Sequence, residues 1–412
     1  MNFTKFGFDD RLMEGIEASN YKTATPIQAQ AIPHVLQGKD LLAIAQTGTG
    51  KTAAFLLPLI NRALLQSPQP QGIQGMVIVP TRELAIQVAQ QMEGLSYFTG
   101  ISSIAIYGGG DGNDFVQEKR ALTAGAEFII CTPGKMMAHI KMGYVNLATL
   151  KYLVLDEADR MLDMGFYDDI MFIINKIPKK RQTLLFSATM PPKIRTLSKN
   201  ILHHPVEVNI AISKPPEKIE QKAFLVDEEQ KNNVIQQLLR SGEYKVVLIF
   251  CGSKQSVKQL ARQLRSAGIT AGEIHSDLEQ GEREDMLIGY KSGRVKVLVA
   301  TDILSRGIDI DNIDLVINYD VPRNGEDYVH RIGRTARAEA GGTAVTLVSR
   351  KDQYKFRLIE QLLGREIEKK NFRTAPTTSK QSQQKPGAKN KQPGKPPYKE
   401  KRPPKNDDRK EA

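Results

Sequence analysis

Short apolar runs recur along the chain, and each is followed by a longer segment in which apolar residues repeat with helical periodicity. Continuous apolar runs of this length are typical of strands buried on both faces of a parallel sheet. The runs are DLLAIA, GMVIVP, AEFIIC, KYLVLD and TLLFSAT in a first group, and KVVLIFC, VKVLVAT and DLVINYD in a second. The alternation predicts an α/β fold with parallel sheets flanked by helices.

The two groups of runs are separated by the stretch NIAISKPPEKIE, in which Pro215, Pro216 and flanking charges interrupt every periodic pattern. We therefore predict an N-terminal domain over residues 1–208, a linker over 209–218 and a C-terminal domain over 219–368. A chain of 412 residues exceeds the size of one typical core, which agrees with two domains. In open parallel sheets ligands bind at the carboxyl ends of strands, so functional residues are expected there.

Residues 369–412 are rich in Pro, Gln and Lys and offer little to bury, which predicts a disordered, basic C-terminal tail. The chain carries a formal charge of +12, and residues 374–412 supply eleven Lys and Arg against four Asp and Glu, or +7. A tail of this kind can bind phosphate backbones without sequence preference. A purely solubilising segment is the alternative.

The two cysteines, Cys131 and Cys251, are too few for a disulfide framework or a four-cysteine zinc site. The N-terminal residues lack the apolar region of a signal peptide, and no apolar run approaches the ~20 residues of a membrane span. We expect a cytoplasmic protein without membrane association. A monomer is expected.

The segment AQTGTGKT follows the run DLLAIA and precedes a helical segment. This is the context of a P-loop, in which backbone N–H groups and a helix N-terminus surround the phosphates of a nucleotide. Lys51 is predicted to contact the β- and γ-phosphates, and the Thr52 hydroxyl to bind Mg²⁺. An incidental glycine-rich turn is the alternative. The predicted nucleotide-binding residues here are Ala45, Gln46, Thr47, Gly48, Thr49, Gly50, Lys51 and Thr52.

Carboxylates follow the apolar run KYLVLD, where burial of an unpaired charge would be costly. A metal ion would compensate that charge. Asp156 is predicted to hold the Mg²⁺ that Thr52 also contacts, and Glu157 to orient and deprotonate a water that attacks the phosphate. The expected ligands are thus a nucleotide and Mg²⁺, and the family resemblance given next implies that the nucleotide is ATP.

With DEAD at Asp156–Asp159 beside AQTGTGKT, the sequence resembles the DEAD-box RNA helicases, and further segments match that family's motifs in order through residue 368. The resemblance implies two tandem RecA-like domains, and bacterial RhlE-type members are the nearest subgroup. TPIQ, which begins at Thr25, resembles the family's adenine-reading motif. The resemblance implies that Thr25 belongs to the nucleotide site, that Gln28 contacts the adenine edge and that Phe3 stacks on the base. A helix start at Pro26 and core packing of Phe3 are the structural alternatives.

The resemblance implies contacts to the RNA backbone from both domains, which carry little sequence information. Each of these segments alone would be an ordinary turn or helix start. In the first domain the implied residues are Pro80, Thr81, Arg82, Gly108, Gly109, Thr132, Pro133 and Gly134. In the second domain they are Gln280, Arg283, Thr301, Arg306 and Gly307, while Asp309 is implied to meet the nucleotide.

The segment YVHRIGRTARA contains four basic side chains and no acid. The resemblance implies that Arg334 and Arg337 reach the γ-phosphate across the gap between the domains, a contribution of about 10³- to 10⁵-fold in rate. Residues that couple the domains would be His330, Arg331 and Asp159, together with Ser187 and Thr189, whose hydroxyls are placed to bridge to the DEAD carboxylates. A solvated basic helix is the alternative for the arginines.

The function implied is an RNA-stimulated ATPase that separates short RNA duplexes locally, because ATP and RNA together close the two domains. Ribosomal or RNA-decay proteins are conceivable partners. Two other functions remain open from the sequence. One is an ATP-gated RNA clamp or assembly platform with little unwinding. The other is a DNA-unwinding motor, because RNA preference rests on contacts to the 2′-hydroxyl.

Overall fold

A computed structural model of the protein describes residues 1–46, 48–66, 71–109, 112–210, 219–301, 313–335 and 342–371. They all belong to one compact unit, Met1–Phe372. Within them the chain forms two seven-stranded sheets, one from each predicted domain, and helices connect their strands. The predicted α/β architecture is therefore confirmed.

The first sheet has the strand order β3-β4-β2-β5-β6-β1-β7, and every neighbouring pair is parallel. Strand β6 lies between β1 and β5, so the loops that follow these three strands meet at one edge of the sheet. The strands are β1 (Leu41–Ile44), β2 (Gly75–Ile78), β3 (Ser103–Ile106), β4 (Phe128–Cys131), β5 (Tyr152–Leu155), β6 (Gln182–Ser187) and β7 (Val206–Asn209).

Helices cover both faces of this sheet because side chains along each strand alternate between two apolar clusters. In β1, for example, Leu41 and Ala43 join the cluster packed by α1 to α4, whereas Leu42 joins the cluster packed by α6 to α9. The helices are α1 (Asp10–Ala18), α2 (Pro26–Leu36), α3 (Lys51–Leu64), α4 (Arg82–Ser96), α5 (Gly112–Ala124), α6 (Pro133–Lys141), α7 (Ala158–Asp163), α8 (Tyr167–Ile174) and α9 (Pro192–Ile201).

The second sheet repeats this plan with the order β10-β11-β9-β12-β13-β8-β14, again with parallel pairs. Its strands are β8 (Ile219–Leu225), β9 (Val247–Cys251), β10 (Ala271–Ile274), β11 (Val297–Thr301), β12 (Leu315–Asn318), β13 (Gly342–Val348) and β14 (Glu368–Asn371). Its helices are α10 (Lys231–Arg240), α11 (Lys254–Ser266), α12 (Gln280–Lys291), α13 (Gly325–Ile332) and α14 (Gln353–Leu363).

Two predicted boundaries are corrected by strand pairing. Asn209, the first residue of the predicted linker, pairs with Ile44 as the last residue of β7. The tail was predicted to start at residue 369, yet residues 369–371 belong to β14, which pairs with β8. Both segments are polar and lie at sheet edges, where one ladder of backbone hydrogen bonds suffices without apolar side chains. The rest of the predicted linker after residue 210, and residues 372–412, lie outside the described residues.

In the parts of the chain that the structure describes, no helix has both the length and the apolar character that crossing a membrane requires.

Candidate functional site

The loop after β1 and the start of α3 form a phosphate-binding turn. Helix α3 begins at Lys51, and its N-cap is Gly50 in a left-handed conformation with φ 90°. The buried Lys51 donates from Nζ to the carbonyl of Ala45 at 2.8 Å, which holds the ammonium under the loop. Thr49 Oγ1 donates to the carbonyl of Gln46 at 2.7 Å and tightens the turn. These hydrogen bonds fix the conformation of the phosphate-binding loop around the ammonium of Lys51.

Helix α2 is fastened to this loop through Gln28, which is 1% exposed. The amide Oε1 accepts from the backbone N–H of Thr25 at 2.9 Å, which completes a capping box at the start of α2. The same amide donates from Nε2 to the carbonyl of Gly50 at 3.1 Å. Gln28 therefore connects the TPIQ segment to the N-cap of the phosphate-binding helix, a role that the sequence did not predict.

We expect Gly50→Ala to destabilise the protein more than Gly48→Ala does. Both glycines have positive φ, 90° and 78°, so both substitutions introduce backbone strain. A Cβ at Gly50 would also lie 2.5 Å from Gln28 Nε2, whereas one at Gly48 would meet nothing within 4 Å. Moving the Gln28 amide loses its hydrogen bonds, an additional cost of about 1–2 kcal/mol.

The measurement is the free energy of unfolding in urea for both variants, each with and without Gln28→Ala. The excess cost of Gly50→Ala should shrink when Gln28 is truncated, because the clash has been removed. Equal destabilisation by the two glycine substitutions would contradict this account of the loop.

Phe3 does not offer a ring face to a base in this structure. It is 1% exposed and packs in the core, with ring centroids 6.0 Å from both Phe6 and Tyr21. Stacking of Phe3 on adenine would require the ring to leave this packing. This packing is that of a core residue, and stacking of Phe3 on adenine stays a prediction.

Asp156 is a buried carboxylate at the end of β5, 3% exposed. Burial raises its pKa to about 6, while the nearby Lys51 opposes that rise and Glu157 adds to it. Its Oδ1 accepts from the backbone N–H of Glu157 at 2.9 Å. A buried carboxylate whose anionic form is under-compensated fits a cation, and carboxylate and hydroxyl oxygens are the ligands that Mg²⁺ prefers. Asp156 and Thr52 therefore suit the metal site predicted from the sequence.

Glu157 is held in a strained and strongly cationic environment. It has φ 48°, a left-handed conformation that is costly for this residue type and often marks functional sites. Its Oε2 pairs with Arg160 Nη1 at 3.0 Å. Burial pushes the pKa of Glu157 upward, but Arg160, Lys51 and Arg334 together outweigh burial, and the pKa lies below its usual value. Glu157 is thus ionised at neutral pH, as a proton acceptor must be.

Arg160 is a site residue that the sequence analysis missed. It is 4% exposed, and its backbone N–H also donates to Asp159 Oδ1 at 3.0 Å. The only signal in the sequence was that Arg160 follows Glu157 by three residues. This spacing brings the two side chains together because α7 begins directly after Glu157.

The SAT segment after β6 contacts the DEAD segment, as its hydroxyls were expected to do. Asp159 Oδ2 accepts from the backbone N–H of Thr189 at 3.0 Å and from its Oγ1 at 2.9 Å. Ser187 is fully buried, and its Oγ has no hydrogen-bond partner among the described residues. The loop after β6 is therefore tied to the loop that carries Asp156 and Glu157.

In the first domain the residues expected to contact RNA lie at helix starts and turns. Thr81 caps α4 by accepting from the backbone N–H of Leu84 at 3.3 Å, and Pro80 directly precedes it. Arg82 donates to the carbonyl of Gly109 at 3.0 Å, which brings together the α4 start and the turn of Gly108 and Gly109. These side chains hold local structure, and a helix N-terminus is also a position that suits a phosphate.

A second helix start of this kind is α6, with Thr132 as N-cap, Pro133 at its first position and Gly134 next. Lys135 pairs with Glu118 Oε2 at 2.9 Å. Glu118 also accepts from the buried His139 at 3.0 Å, and this network of Lys135, Glu118 and His139, which the sequence did not predict, fixes α6 against α5. Burial, opposed by Glu118, lowers the pKa of His139, so the ring stays neutral at physiological pH.

In the second domain, α12 begins at Gln280, and Arg283 donates from Nη2 to the carbonyl of Ser276 at 3.0 Å. Thr301 ends β11, and His330 lies in α13. Arg331, predicted at an interdomain contact, is 3% exposed and donates to Asn318 Oδ1 and to the carbonyl of Asp320 in its own domain. These bonds fix α13 at the carboxyl end of β12 and hold Arg334, one turn further on, in place.

Five predicted residues lie outside the described part of the chain: Thr47, Arg306, Gly307, Asp309 and Arg337.

A phosphate-binding turn, two successive carboxylates after β5 and an arginine from a second α/β domain define a two-domain nucleoside triphosphatase. Two family descriptions match the chain: "DEAD/DEAH box helicase" over residues 25–197 and "Helicase conserved C-terminal domain" over residues 230–339. The ATP-dependent RNA helicase CshA of Listeria monocytogenes is 41% identical over 360 residues, which are 87% of this chain and 68% of the relative. The chain belongs to the DEAD-box family of ATP-dependent RNA helicases.

Two solved structures extend this likeness to the fold. Dbp5 of S. cerevisiae, bound to RNA and ADP BeF3, is 30% identical and superposes with a TM-score of 0.80 over 90% of this chain and 95% of its own. A DEAD box protein from Methanococcus jannaschii is 38% identical with a TM-score of 0.52 over 90% and 99% of the two chains. The protein is thus an RNA-binding enzyme that uses ATP. Its assignment to the RhlE-type subgroup stays a prediction.

Proposed function

We propose that this RNA helicase separates short RNA duplexes locally and without processive travel, by closing its two domains around ATP and one RNA strand. The observation that carries the proposal is the influence of Arg334 on Glu157. Burial raises the pKa of Glu157 and Arg160 and Lys51 of the first domain lower it most, but Arg334 of the second domain also lies close enough to lower it. The catalytic groups are therefore complete only when both domains take part.

In this mechanism Lys51 holds the β- and γ-phosphates from beneath the loop, and Glu157 accepts the proton of the attacking water. Thr52 and Asp156 would hold Mg²⁺, which would supply positive charge to offset the negative charge of the transferred phosphoryl group. Arg334, together with Arg337, stabilises the negative charge of the transition state. Gln28 contributes the adenine contact once its amide exchanges a partner, since an amide offers both a donor and an acceptor.

Thr189 and Asp159 couple this chemistry to RNA, because they link the loop after β6 to the carboxylate loop. RNA contacts come from the helix starts of the first domain and from Gln280, Arg283 and Thr301 of the second, with Arg306 and Gly307 proposed on the resemblance alone. Backbone contacts of this kind imply little base preference. We further propose a cytoplasmic monomer, with ribosomal or RNA-decay proteins as partners.

The experiment that tests the proposal measures steady-state ATP hydrolysis without nucleic acid, with single-stranded RNA and with DNA of the same sequence. Unwinding is followed in parallel on RNA duplexes of increasing length. Stimulation by RNA alone, with unwinding that declines steeply with duplex length, is the expected result. Long-lived RNA complexes with slow turnover and no unwinding would favour an RNA clamp, and equal stimulation by DNA would favour a DNA motor.

The basic C-terminal segment is expected to strengthen RNA binding without specificity. Deletion of residues 374–412 removes a net charge of +7, so it should weaken RNA affinity and flatten its dependence on salt. The rate of ATP hydrolysis at saturating RNA should change little. The measurement is the RNA dissociation constant at several salt concentrations.

The matched control keeps the length of the segment and replaces seven of its eleven Lys and Arg residues with Gln, so that the segment carries no net charge. It should behave as the deletion does if charge is responsible. A salt dependence equal to that of the full chain in both variants would show that the segment takes no part in RNA binding.

A further inference from the structure

One ion pair joins the two domains between segments assigned to RNA contact. Arg82 Nη2, at the start of α4, lies 2.8 Å from Glu284 Oε1 in α12. Arg82 belongs to the first domain and follows Thr81, whereas Glu284 belongs to the second and directly follows Arg283. The pair therefore spans the gap between two helix starts that are proposed to contact the same RNA strand.

On the first-domain side the guanidinium of Arg82 is held in a fixed orientation. Its Nη1 donates to the carbonyl of Gly109 at 3.0 Å, and the group lies 4.7 Å from the centre of the Tyr107 ring. One edge of the guanidinium thus contacts a carbonyl and one face lies against a ring, and the other terminal nitrogen contacts Glu284. The planar donor fork of arginine makes such a fixed orientation effective.

An acidic side chain is unexpected on a surface that has to bind a polyanion, because it repels phosphate. The position of Glu284 is explained if its carboxylate pairs with a protein cation and does not contact RNA. We propose that Glu284 is a positioning residue that stabilises the closed arrangement of the two domains by pairing with Arg82. The inference rests on the domain closure proposed above and assigns part of that closure to one pair.

The size of the effect follows from solvent exposure. The Arg82 side chain is 17% exposed and that of Glu284 is 45% exposed, so water and salt screen the pair. Pairs of this kind change an equilibrium about two- to five-fold. Glu284 thus shifts the equilibrium between open and closed domains by a small factor, and salt reduces that shift.

The test compares Glu284→Gln with Asp285→Asn, an equal change of charge at the neighbouring exposed residue of α12. Donor and acceptor dyes are placed on Asn200→Cys and Gln259→Cys, one exposed position in each domain, while the native Cys131 and Cys251 are buried. The measurements on the full chain are the closed fraction with RNA and a non-hydrolysable ATP analogue, and the RNA concentration for half-maximal ATPase.

Glu284→Gln is expected to lower the ratio of closed to open molecules about two- to five-fold and to raise the half-saturating RNA concentration to a similar degree. Asp285→Asn should do neither. In an Arg82→Gln background, Glu284→Gln should have no further effect, because the pair is already broken. The thermal unfolding midpoint should be unchanged.

Three results separate the possible failures. If the wild-type chain does not close with RNA and the ATP analogue, the proposed function itself is wrong. If it closes and Glu284→Gln behaves as the wild type does, the pair has no role in closure. If Glu284→Gln binds RNA more tightly than Asp285→Asn does, Glu284 competes with RNA for Arg82, and the inference is overturned.

Discussion

The Glu157→Gln variant is expected to bind ATP and RNA as the wild type does but to hydrolyse ATP about 10²- to 10⁴-fold more slowly, the range typical for loss of a general base. The amide keeps the size of the side chain and its acceptor oxygen, so the contact with Arg160 Nη1 at 3.0 Å can persist in weakened form. What is lost is the ability to accept a proton. The left-handed backbone at φ 48° is unaffected by the change.

The measurement is single-turnover ATP hydrolysis with saturating RNA, together with equilibrium binding of ATP and of RNA. Asp163→Asn is the matched control, because Asp163 is an exposed acid at the end of the same short helix, α7. It should hydrolyse ATP at the wild-type rate. If Glu157→Gln still hydrolyses ATP, Glu157 is not the general base. If the variant no longer binds ATP, Glu157 contributes to binding of the substrate and not only to the chemical step.

The predicted strands that the structure confirms are those whose apolar runs are buried on both faces. KYLVLD contains β5, in which all four residues are buried, and KVVLIFC contains β9. One missed strand, β13, is central and has six of its seven residues buried, but the missed strands at the sheet edges have mixed or polar sequences. In β7 (Val206–Asn209) only Val208 is buried, and β14 consists of the residues EKKN. Edge strands bury little, so a hydrophobic pattern carries no signal for them, and only their pairing partners identify them.

The site shows a similar division between local and long-range information. The P-loop could be predicted because eight successive residues carry its chemistry, and the structure places Lys51 and Gly50 as that motif requires. The contacts that join motifs could not be read from the sequence. Gln28 donating to Gly50 and Arg82 pairing with Glu284 depend on how distant segments meet, and no spacing along the chain encodes that.

Burial likewise decided roles that residue type left open. Phe3 had two interpretations, and the packed core around it favours one. Arg331 and Arg334 lie in one basic segment, yet the first holds its own domain together while the second lowers the pKa of Glu157 in the other. Residue type does not separate the two arginines, and only the resemblance assigned Arg334 to the phosphate and Arg331 to the coupling of the domains.

Arg334→Gln is expected to slow RNA-stimulated ATP hydrolysis by at least about 10³-fold, the lower end of the range for an arginine that stabilises the transition state of phosphoryl transfer. Arg334 is 7% exposed and lies two residues after the end of α13, where its backbone N–H donates to the carbonyl of Arg331 at 3.2 Å. ATP affinity in the absence of RNA should stay near the wild-type value, because the first domain supplies the ground-state contacts. The measurement is the rate of hydrolysis at saturating ATP and RNA.

The same variant should also shift the pH dependence of the residual rate. Burial raises the pKa of Glu157, and Arg160, Lys51 and Arg334 bring it below its usual value. Removing one of these cations lets the pKa rise. Because Glu157 acts in its deprotonated form, the acid limb of the rate profile should move to higher pH.

Arg323→Gln provides the control, because Arg323 is an exposed arginine just before α13 and its loss changes the net charge equally. It should leave both the rate and the acid limb in place. If the two variants hydrolyse ATP alike, Arg334 does not act on the phosphate. A slow Arg334→Gln variant with an unmoved acid limb would mean that Arg334 stabilises the transition state without keeping Glu157 ionised, which separates the two effects of one charge.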